Sequence, residues 1–342
     1  MAAAGARMAD EVAEQPAVFD TLVARHADIA GVARLIAERR PRFALLAARG
    51  SSDHAALYAK YLIEVLLALP AGLVSPSTTT LYGARPDFTD VLYLSVSQSG
   101  GSPDLVAATE AARAQGALTV AVTNTPSSPL SDAAELSVDV KAGEELAVAA
   151  TKTYTATLLS LYLLVDAVRG GSGAAVAGIG ELAATALVAP IEDAVSRYRD
   201  IERVVTTGRG YSSATAAEAA LKLAETSYLG ARSYSGADLL HGPVAAIDDR
   251  TGVVAVTSKG HGGTAMRDVV ETVRSRGASV LAVGSSAGEM AADLRIAVPE
   301  TAEEVAPILE ILPLQRLALA LSLARGGDPD NPRGLNKITR TL

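Results

Sequence analysis

The run Val91-Leu92-Tyr93-Leu94-Ser95-Val96 passes directly into Ser97-Gln98-Ser99-Gly100-Gly101-Ser102 and then Pro103, and this stretch decides the fold. Its first six residues have the length and apolar character of a buried strand. The next six offer hydroxyls, an amide and flexible glycines, which end the strand in a polar loop. Ser102 followed by Pro103 is a helix start, and residues 103–115 continue with helical character. Upstream, residues 43–48 end in Arg49-Gly50-Ser51-Ser52 before an Ala-rich helical stretch at 55–69; downstream, another apolar run follows at 118–122. Strands of about five residues alternating with longer helices are crossover units, which build a parallel sheet covered on both faces.

The pattern returns about 160 residues later. Residues 204–207 end in Gly208-Arg209-Gly210-Tyr211-Ser212-Ser213 before an Ala-rich helix at 214–228; residues 253–257 end in Ser258-Lys259-Gly260-His261-Gly262-Gly263-Thr264; and 280–283 follow a helix closed by Gly277. Two homologous α/β halves, each a three-layer α/β/α sandwich, are the simplest reading. Gly170-Gly171-Ser172-Gly173 and Pro190 place the boundary between them near 170–195. The expected organisation is a helical segment at 1–30, a first half at 31–170, a second at 195–327 and a tail at 328–342.

Composition bounds the chemistry. The chain has 342 residues, 49% hydrophobic and 20% charged, which is ordinary globular composition for two domains. It contains no cysteine, which excludes disulfides, thiolate catalysis, a Cys-based zinc site and a cysteine amidotransferase centre within these residues. Thirty basic against 38 acidic residues give a net charge of −8, unfavourable for a general nucleic-acid binder. The start has no apolar core of signal-peptide length, and the apolar stretches around Glu64, Lys152 and Asp166 are interrupted, so no membrane span and a cytoplasmic location are expected.

In an open parallel sheet ligands bind at the carboxyl ends of strands, where loops feed helix N-termini. Residues 97–102 offer what a phosphate monoester needs: several donors in one compact loop at the positive end of a helix dipole. The alternative is a Ser-rich turn with Ser102 as N-cap. Gly50-Ser51-Ser52 is a second hydroxyl-rich loop, although Ser52 could instead cap its own helix. Glu218, Lys222 and Glu225 share one helix face, which by itself reads as a solvated charge stripe. His241, between glycines in Gly236-Ala237-Asp238-Leu239-Leu240-His241-Gly242, reads alone as a hydrogen-bonded structural residue, and Lys337 as an exposed tail charge.

Taken together these motifs are specific. With Val148-Ala149-Ala150-Thr151-Lys152, His241-Gly242-Pro243 and Asn331-Pro332-Arg333-Gly334-Leu335-Asn336-Lys337, the chain resembles the sugar isomerase (SIS) domain family over nearly its full length. The closest resemblance is to the branch that includes the isomerase half of glutamine-dependent glucosamine-6-phosphate synthase and free-standing isomerase-type glucosamine-6-phosphate deaminases. The resemblance implies two tandem SIS domains. It also implies a phosphate site at Ser97, Gln98, Ser99 and Ser102, and sugar contacts from the Gly50, Ser51, Ser52 loop and the backbone near Val148. By the same resemblance Glu225 is the base that moves a proton between C2 and C1, Lys222 a charged partner near the reacting carbons, and His241 the ring-opening residue supplied by the neighbouring subunit of a homodimer. Lys337 is then the tail lysine that forms a Schiff base. Neither metal nor organic cofactor is implied. Two residues depart from the synthase pattern: Ala150 stands where the synthase has Ser, and Gly101 where it has an acidic residue.

Isomerising a phosphosugar requires ring opening, removal of a weakly acidic C–H proton and stabilisation of the resulting enediol or enolamine, so a carboxylate base with nearby cations is the minimum set. Lys337 can attack a carbonyl only when neutral, which needs desolvation or a nearby cation; residues 328–342 are therefore expected to fold over the site when ligand is bound. With no cysteine glutaminase in these residues, the expected reaction is deamination with isomerisation, taking glucosamine 6-phosphate or a close relative to fructose 6-phosphate and ammonia. Two alternatives remain. One is a lyase acting on an N-acylated aminosugar 6-phosphate through the same Glu225; the other is a non-catalytic phosphosugar sensor.

Overall fold

The computed structural model describes residues 3–337, which divide into two compact units. One unit contains residues 17–145, 152–177 and the described end of the tail from Asn336. Its sheet holds β1 (Phe43–Ala47), β2 (Ala71–Leu73), β3 (Val91–Val96), β4 (Leu118–Thr123) and β5 (Leu136–Asp139), all parallel in the order β2-β1-β3-β4-β5. In the central register Leu46 lies opposite Leu94, and Leu94 opposite Val120. β4 is buried along its whole length, as a strand covered on both faces must be. The Pro103–Ala114 helix seats Leu105 and Ala112 in a cluster with Tyr93 and Ala121. The Lys152–Val168 helix packs against the His26–Arg39 and Ser51–Leu66 helices and is buried from Lys152 to Asp166.

The other unit contains residues 3–16, 146–151 and 178–335. Its strands are β6 (Arg203–Gly208), β7 (Gly230–Ser235), β8 (Thr251–Val256), β9 (Ser279–Gly284) and β10 (Leu294–Ala297), parallel in the order β10-β9-β8-β6-β7. Read from the other edge this is the topology of the first sheet, strand for strand. Two parallel five-stranded sheets flanked by helices thus repeat one α/β architecture. The His261–Ser275 helix places Met266, Val269, Val270 and Val273 against Val253, Ala255, Val280 and Ala282 of the sheet.

The strands legible as apolar runs are the central ones. The edge strands β2, β5, β7 and β10 carry weaker signals because their outer faces are not covered; β7 reads Gly-Ala-Arg-Ser-Tyr-Ser and has no fully buried residue. The tail is ordered as far as it is described. Asp328 accepts a hydrogen bond from Gly5 N at 3.1 Å, and Asp330 accepts from Arg7 N and Met8 N at 3.0 and 2.9 Å. Two carboxylates therefore satisfy the first amides of the Ala6–Ala13 helix, where its dipole favours negative charge.

The Ala306–Ala324 helix is long and apolar enough to cross a bilayer by length and composition, with a mean hydropathy of 1.4, but 78% of that segment is buried inside the protein. It packs on the Ser212–Ser227 helix and carries a buried acid, Glu310, which accepts from Ser212 Oγ at 3.1 Å and Thr215 Oγ1 at 3.3 Å. Burial pushes Glu310 up to about 8, against the lowering effect of the two hydroxyls. The folded state then holds one more proton than the unfolded chain between the ordinary carboxylate range and pH 8. Stability from this group is complete at low pH and falls as pH rises toward 8. Urea denaturation at pH 5.5 and 8.5 should show that Glu310→Gln keeps its stability at the higher pH relative to the wild type; an equal loss in both would remove Glu310 as the cause.

Candidate active site

The two hydroxyl-rich loops of the first unit follow adjacent strands, β1 and β3, at their carboxyl ends. They are joined by Arg49, whose Nη2 lies 2.8 Å from Oδ2 of the buried Asp104 in the first turn of the Pro103–Ala114 helix. The 97–102 loop is built from its own backbone. Ser97 N donates to Val122 O, and Gln98 O accepts from Asn124 N at 3.1 Å and Thr123 Oγ1 at 3.2 Å, which fastens the loop to the end of β4. Gly100 N and Gly101 N donate to Ser97 Oγ and Ser99 Oγ at 3.2 and 3.3 Å. Gly100 has φ +60°, and a Cβ there would lie 2.0 Å from Ser128 Oγ, so only glycine fits. Ser102 occupies the N-cap position but makes no side-chain capping bond, which leaves its hydroxyl available for a ligand. Gln98, Ser99 and Ser102 are half-buried around the helix N-terminus, the arrangement an anion needs.

Ser52 does not cap its helix. Gly50 is the N-cap, with φ 57°, and Ser51 and Ser52 stand half-buried in the first turn of the Ser51–Leu66 helix.

The corresponding loop of the second unit, after β8, has a different fate. There Glu303 accepts from His261 N at 2.9 Å and Gly262 N at 2.7 Å, so a carboxylate of the chain itself occupies the N-terminus of the His261–Ser275 helix. Gly260, at φ +134°, leaves room for it; a Cβ would come within 2.2 Å of Glu303 Oε2. In the loop after β3 an internal carboxylate is present as well, since Asp104 accepts from Leu105 N at 2.9 Å and is paired with Arg49, but the hydroxyls of Ser99 and Ser102 stand half-buried ahead of it.

The charge stripe of the second unit is not solvated. Lys222 and Glu218 side chains are 1% and 0% exposed, with Nζ 3.3 Å from Glu218 Oε1 and 2.6 Å from Glu225 Oε2, while Glu225 remains 22% exposed. Burial alone would push Lys222 down, but the charges of Glu218 and Glu225 outweigh it and hold the ammonium above its ordinary range. Lys222 thus stands between a sealed carboxylate, Glu218, and a partly exposed one, Glu225.

His241 ends the Gly236–Leu240 helix and is exposed. Val148 is half-buried in the 146–151 segment, which the same unit grips from two sides. Buried Glu11 accepts from Leu146 N and from Ala147 N, and Gln315, held by Gln15 at 2.9 Å, donates to Thr151 O at 3.2 Å.

Lys337 is not a free tail charge: its Nζ lies 2.7 Å from Oε2 of Glu145, whose side chain is 0% exposed and belongs to the same unit as the 97–102 loop. Neither Glu145 nor Glu11 is singled out by motif reading. Each has another acid beside it, Glu144 and Asp10, so nothing in the local sequence marks them.

Two copies of the SIS domain model match residues 39–167 and 197–325. The chain belongs to the SIS domain family. This SIS chain is 36% identical, over 96% of its length, to glutamine--fructose-6-phosphate aminotransferase [isomerizing] of Methanothermobacter thermautotrophicus, and spans 56% of that protein. It thus covers little more than half the length of the curated relatives it matches. A crystal structure from Silicibacter pomeroyi, provisionally named a phosphosugar isomerase, superposes with TM-score 0.89 at 34% identity, covering 94% of this chain and 99% of that one. The glucosamine-6-phosphate deaminase of Thermotoga maritima shares the SIS fold with TM-score 0.77 at 21% identity, covering 98% of each chain.

Two expected outcomes follow from this geometry. If the 97–102 loop holds a phosphate through its hydroxyls, replacing both Ser97 and Ser99 by Ala removes two hydrogen bonds to a charged ligand, each worth roughly 1.5–3 kcal/mol. The calorimetric Kd for a hexose 6-phosphate should rise by about a hundredfold or more, and an unchanged Kd would move the phosphate elsewhere. Lys222→Met leaves Glu218 buried without its counter-charge and should lower stability by about 3–5 kcal/mol; a loss below about 1 kcal/mol in urea denaturation would show that the pair is not sealed from water.

Proposed function

We propose that the chain is an aminosugar-6-phosphate deaminase and isomerase, converting glucosamine 6-phosphate or a close relative and water to fructose 6-phosphate and ammonia. The observation that carries this reading is the 2.6 Å contact between a buried, charged Lys222 and the partly exposed Glu225 carboxylate. Proton abstraction next to a carbonyl or imine needs that pairing: a carboxylate to take the proton and a cation to hold the negative charge that develops.

In this reading the 6-phosphate sits on Ser97, Gln98, Ser99 and Ser102 at the helix N-terminus, with Ser52 and the backbone at Val148 holding sugar hydroxyls. His241 of the neighbouring subunit opens the ring, which makes a homodimer the working unit and accounts for an exposed histidine with catalytic duty. Glu225 removes the C2 proton and returns one to C1. The ketimine that results adds water at C2 and expels ammonia. Lys337 forms an imine with the open-chain ketose, its amine displacing water from the carbonyl. Membership of the SIS family, and the Methanothermobacter relative whose name couples isomerisation with fructose 6-phosphate, support the substrate class. The cytoplasm, where sugar phosphates are held, is the corresponding location.

Incubation with glucosamine 6-phosphate should release ammonia and fructose 6-phosphate in equal amounts. Release of neither, together with an unsaturated phosphosugar from the N-acetyl form, would replace deamination by elimination; binding of both without any product would make the chain a sensor. Glu225→Gln should keep the Kd and lose turnover by about a hundredfold or more, and equal turnover would remove Glu225 from the mechanism. Mixing Glu225→Gln with His241→Ala chains should restore part of the activity, and no recovery after demonstrated subunit exchange would place the histidine outside a shared site.

A further inference from the structure

The Lys152–Val168 helix begins on a buried acid that lies outside it. Glu145 Oε1 accepts from Thr153 N at 3.1 Å, and Oε2 accepts from Thr153 Oγ1 at 2.7 Å. This caps the first turn from eight residues upstream, at the end of the helix where a negative charge is favoured. The same Oε2 accepts from Lys337 Nζ at 2.7 Å, although Lys337 stands 192 residues away in the chain.

Capping alone does not require this contact. A helix N-terminus is satisfied by a neutral oxygen, and a fully buried carboxylate costs several kcal/mol unless a cation accompanies it. Lys337 is a cation in contact with it, and the contact gives one fixed place to a side chain with four rotatable bonds.

We infer that Glu145 is a positioning residue for Lys337, docking the tail amine in the unit that carries the 97–102 loop so that it is in place when an open-chain phosphosugar arrives. This rests on the proposed role of Lys337 in imine formation and adds a residue that acts only through it. Glu145 forms no bond to substrate. Its carboxylate holds the lysine as an ammonium between turnovers and takes one proton from it as the freed amine adds to the ketose carbonyl, and the imine forms with loss of one water.

Glu145→Gln separates docking from capping. The amide oxygen in the Oε1 position still accepts from Thr153 N, and the NH2 in the Oε2 position donates to Thr153 Oγ1. Toward Lys337, however, the same NH2 presents hydrogens where the carboxylate presented a lone pair, so attraction becomes repulsion. Thr153→Val is the complementary control: it removes one capping bond and leaves the lysine contact intact.

The experiment is borohydride trapping with fructose 6-phosphate, followed by peptide mass spectrometry at Lys337, alongside thermal melting and amide hydrogen exchange of residues 328–337. Borohydride reduces the imine to a stable secondary amine, so the adduct counts imines formed. Glu145→Gln should trap at least tenfold more slowly than the wild type, exchange faster across residues 328–337, and retain the wild-type Kd for fructose 6-phosphate. Thr153→Val should trap at the wild-type rate even where its melting temperature is lower. Trapping and exchange unchanged in Glu145→Gln would overturn the inference and leave Glu145 as a helix cap. Absence of an adduct in the wild type would instead contradict the imine role of Lys337. Exchange alone then decides the docking claim, which stands if Glu145→Gln loosens the tail and fails if it does not.

Discussion

An ammonium group removed from water beside two carboxylates is the constraint on which the rest of the site depends. Lys222 could not remain charged at 1% exposure without Glu218 behind it and Glu225 in front. Because Glu218 is sealed, its charge is spent on keeping the lysine protonated. Glu225 keeps an open side. The three residues sit four and three apart on the Ser212–Ser227 helix, so helical geometry brings them to one face, and burial takes water from Glu218 and Lys222 on it. The conversion of an ordinary stripe of charge into a buried ion pair with one exposed carboxylate is an effect of burial, not of residue type.

The duplicated architecture carries different loops at equivalent places in its two halves. Both sheets place a loop and a helix N-terminus after the third strand in their order, β3 and β8. In the first, Gly100 allows a tight turn lined with hydroxyls; in the second, Glu303 satisfies the helix amides from within. The positive end of a helix dipole is present in both, and an internal carboxylate meets each, Asp104 paired with Arg49 in the first and Glu303 in the second. The difference lies in the hydroxyls that line the first loop.

Much of this was legible in residues 91–103 and their echoes. Central strands, helix starts and the repeat follow from apolar runs, Pro103 and the glycine-rich loops, because burial on both faces forces a continuous apolar signature. The edge strands carried little signal, since one side of each is exposed. At the site, the loop chemistry pointed to residues 97–102, while Glu225 and Lys222 were marked by the family resemblance and not by their spacing, and neither signal showed which charges are buried. Nor could spacing show Glu145 reaching Lys337 across 192 positions, or Glu11 gripping residues 146 and 147, since such contacts depend on how the chain returns on itself. Ser52 as a helix cap was an equally good reading of the sequence; the left-handed Gly50 decided otherwise.

The most direct test of a base and cation that move a proton off C2 is the fate of deuterium placed there. With glucosamine 6-phosphate labelled at C2, turnover should slow relative to the unlabelled sugar, and the fructose 6-phosphate formed should have lost its label from C2, to C1 or to water. Ammonia released with the deuterium still on C2 would contradict the account.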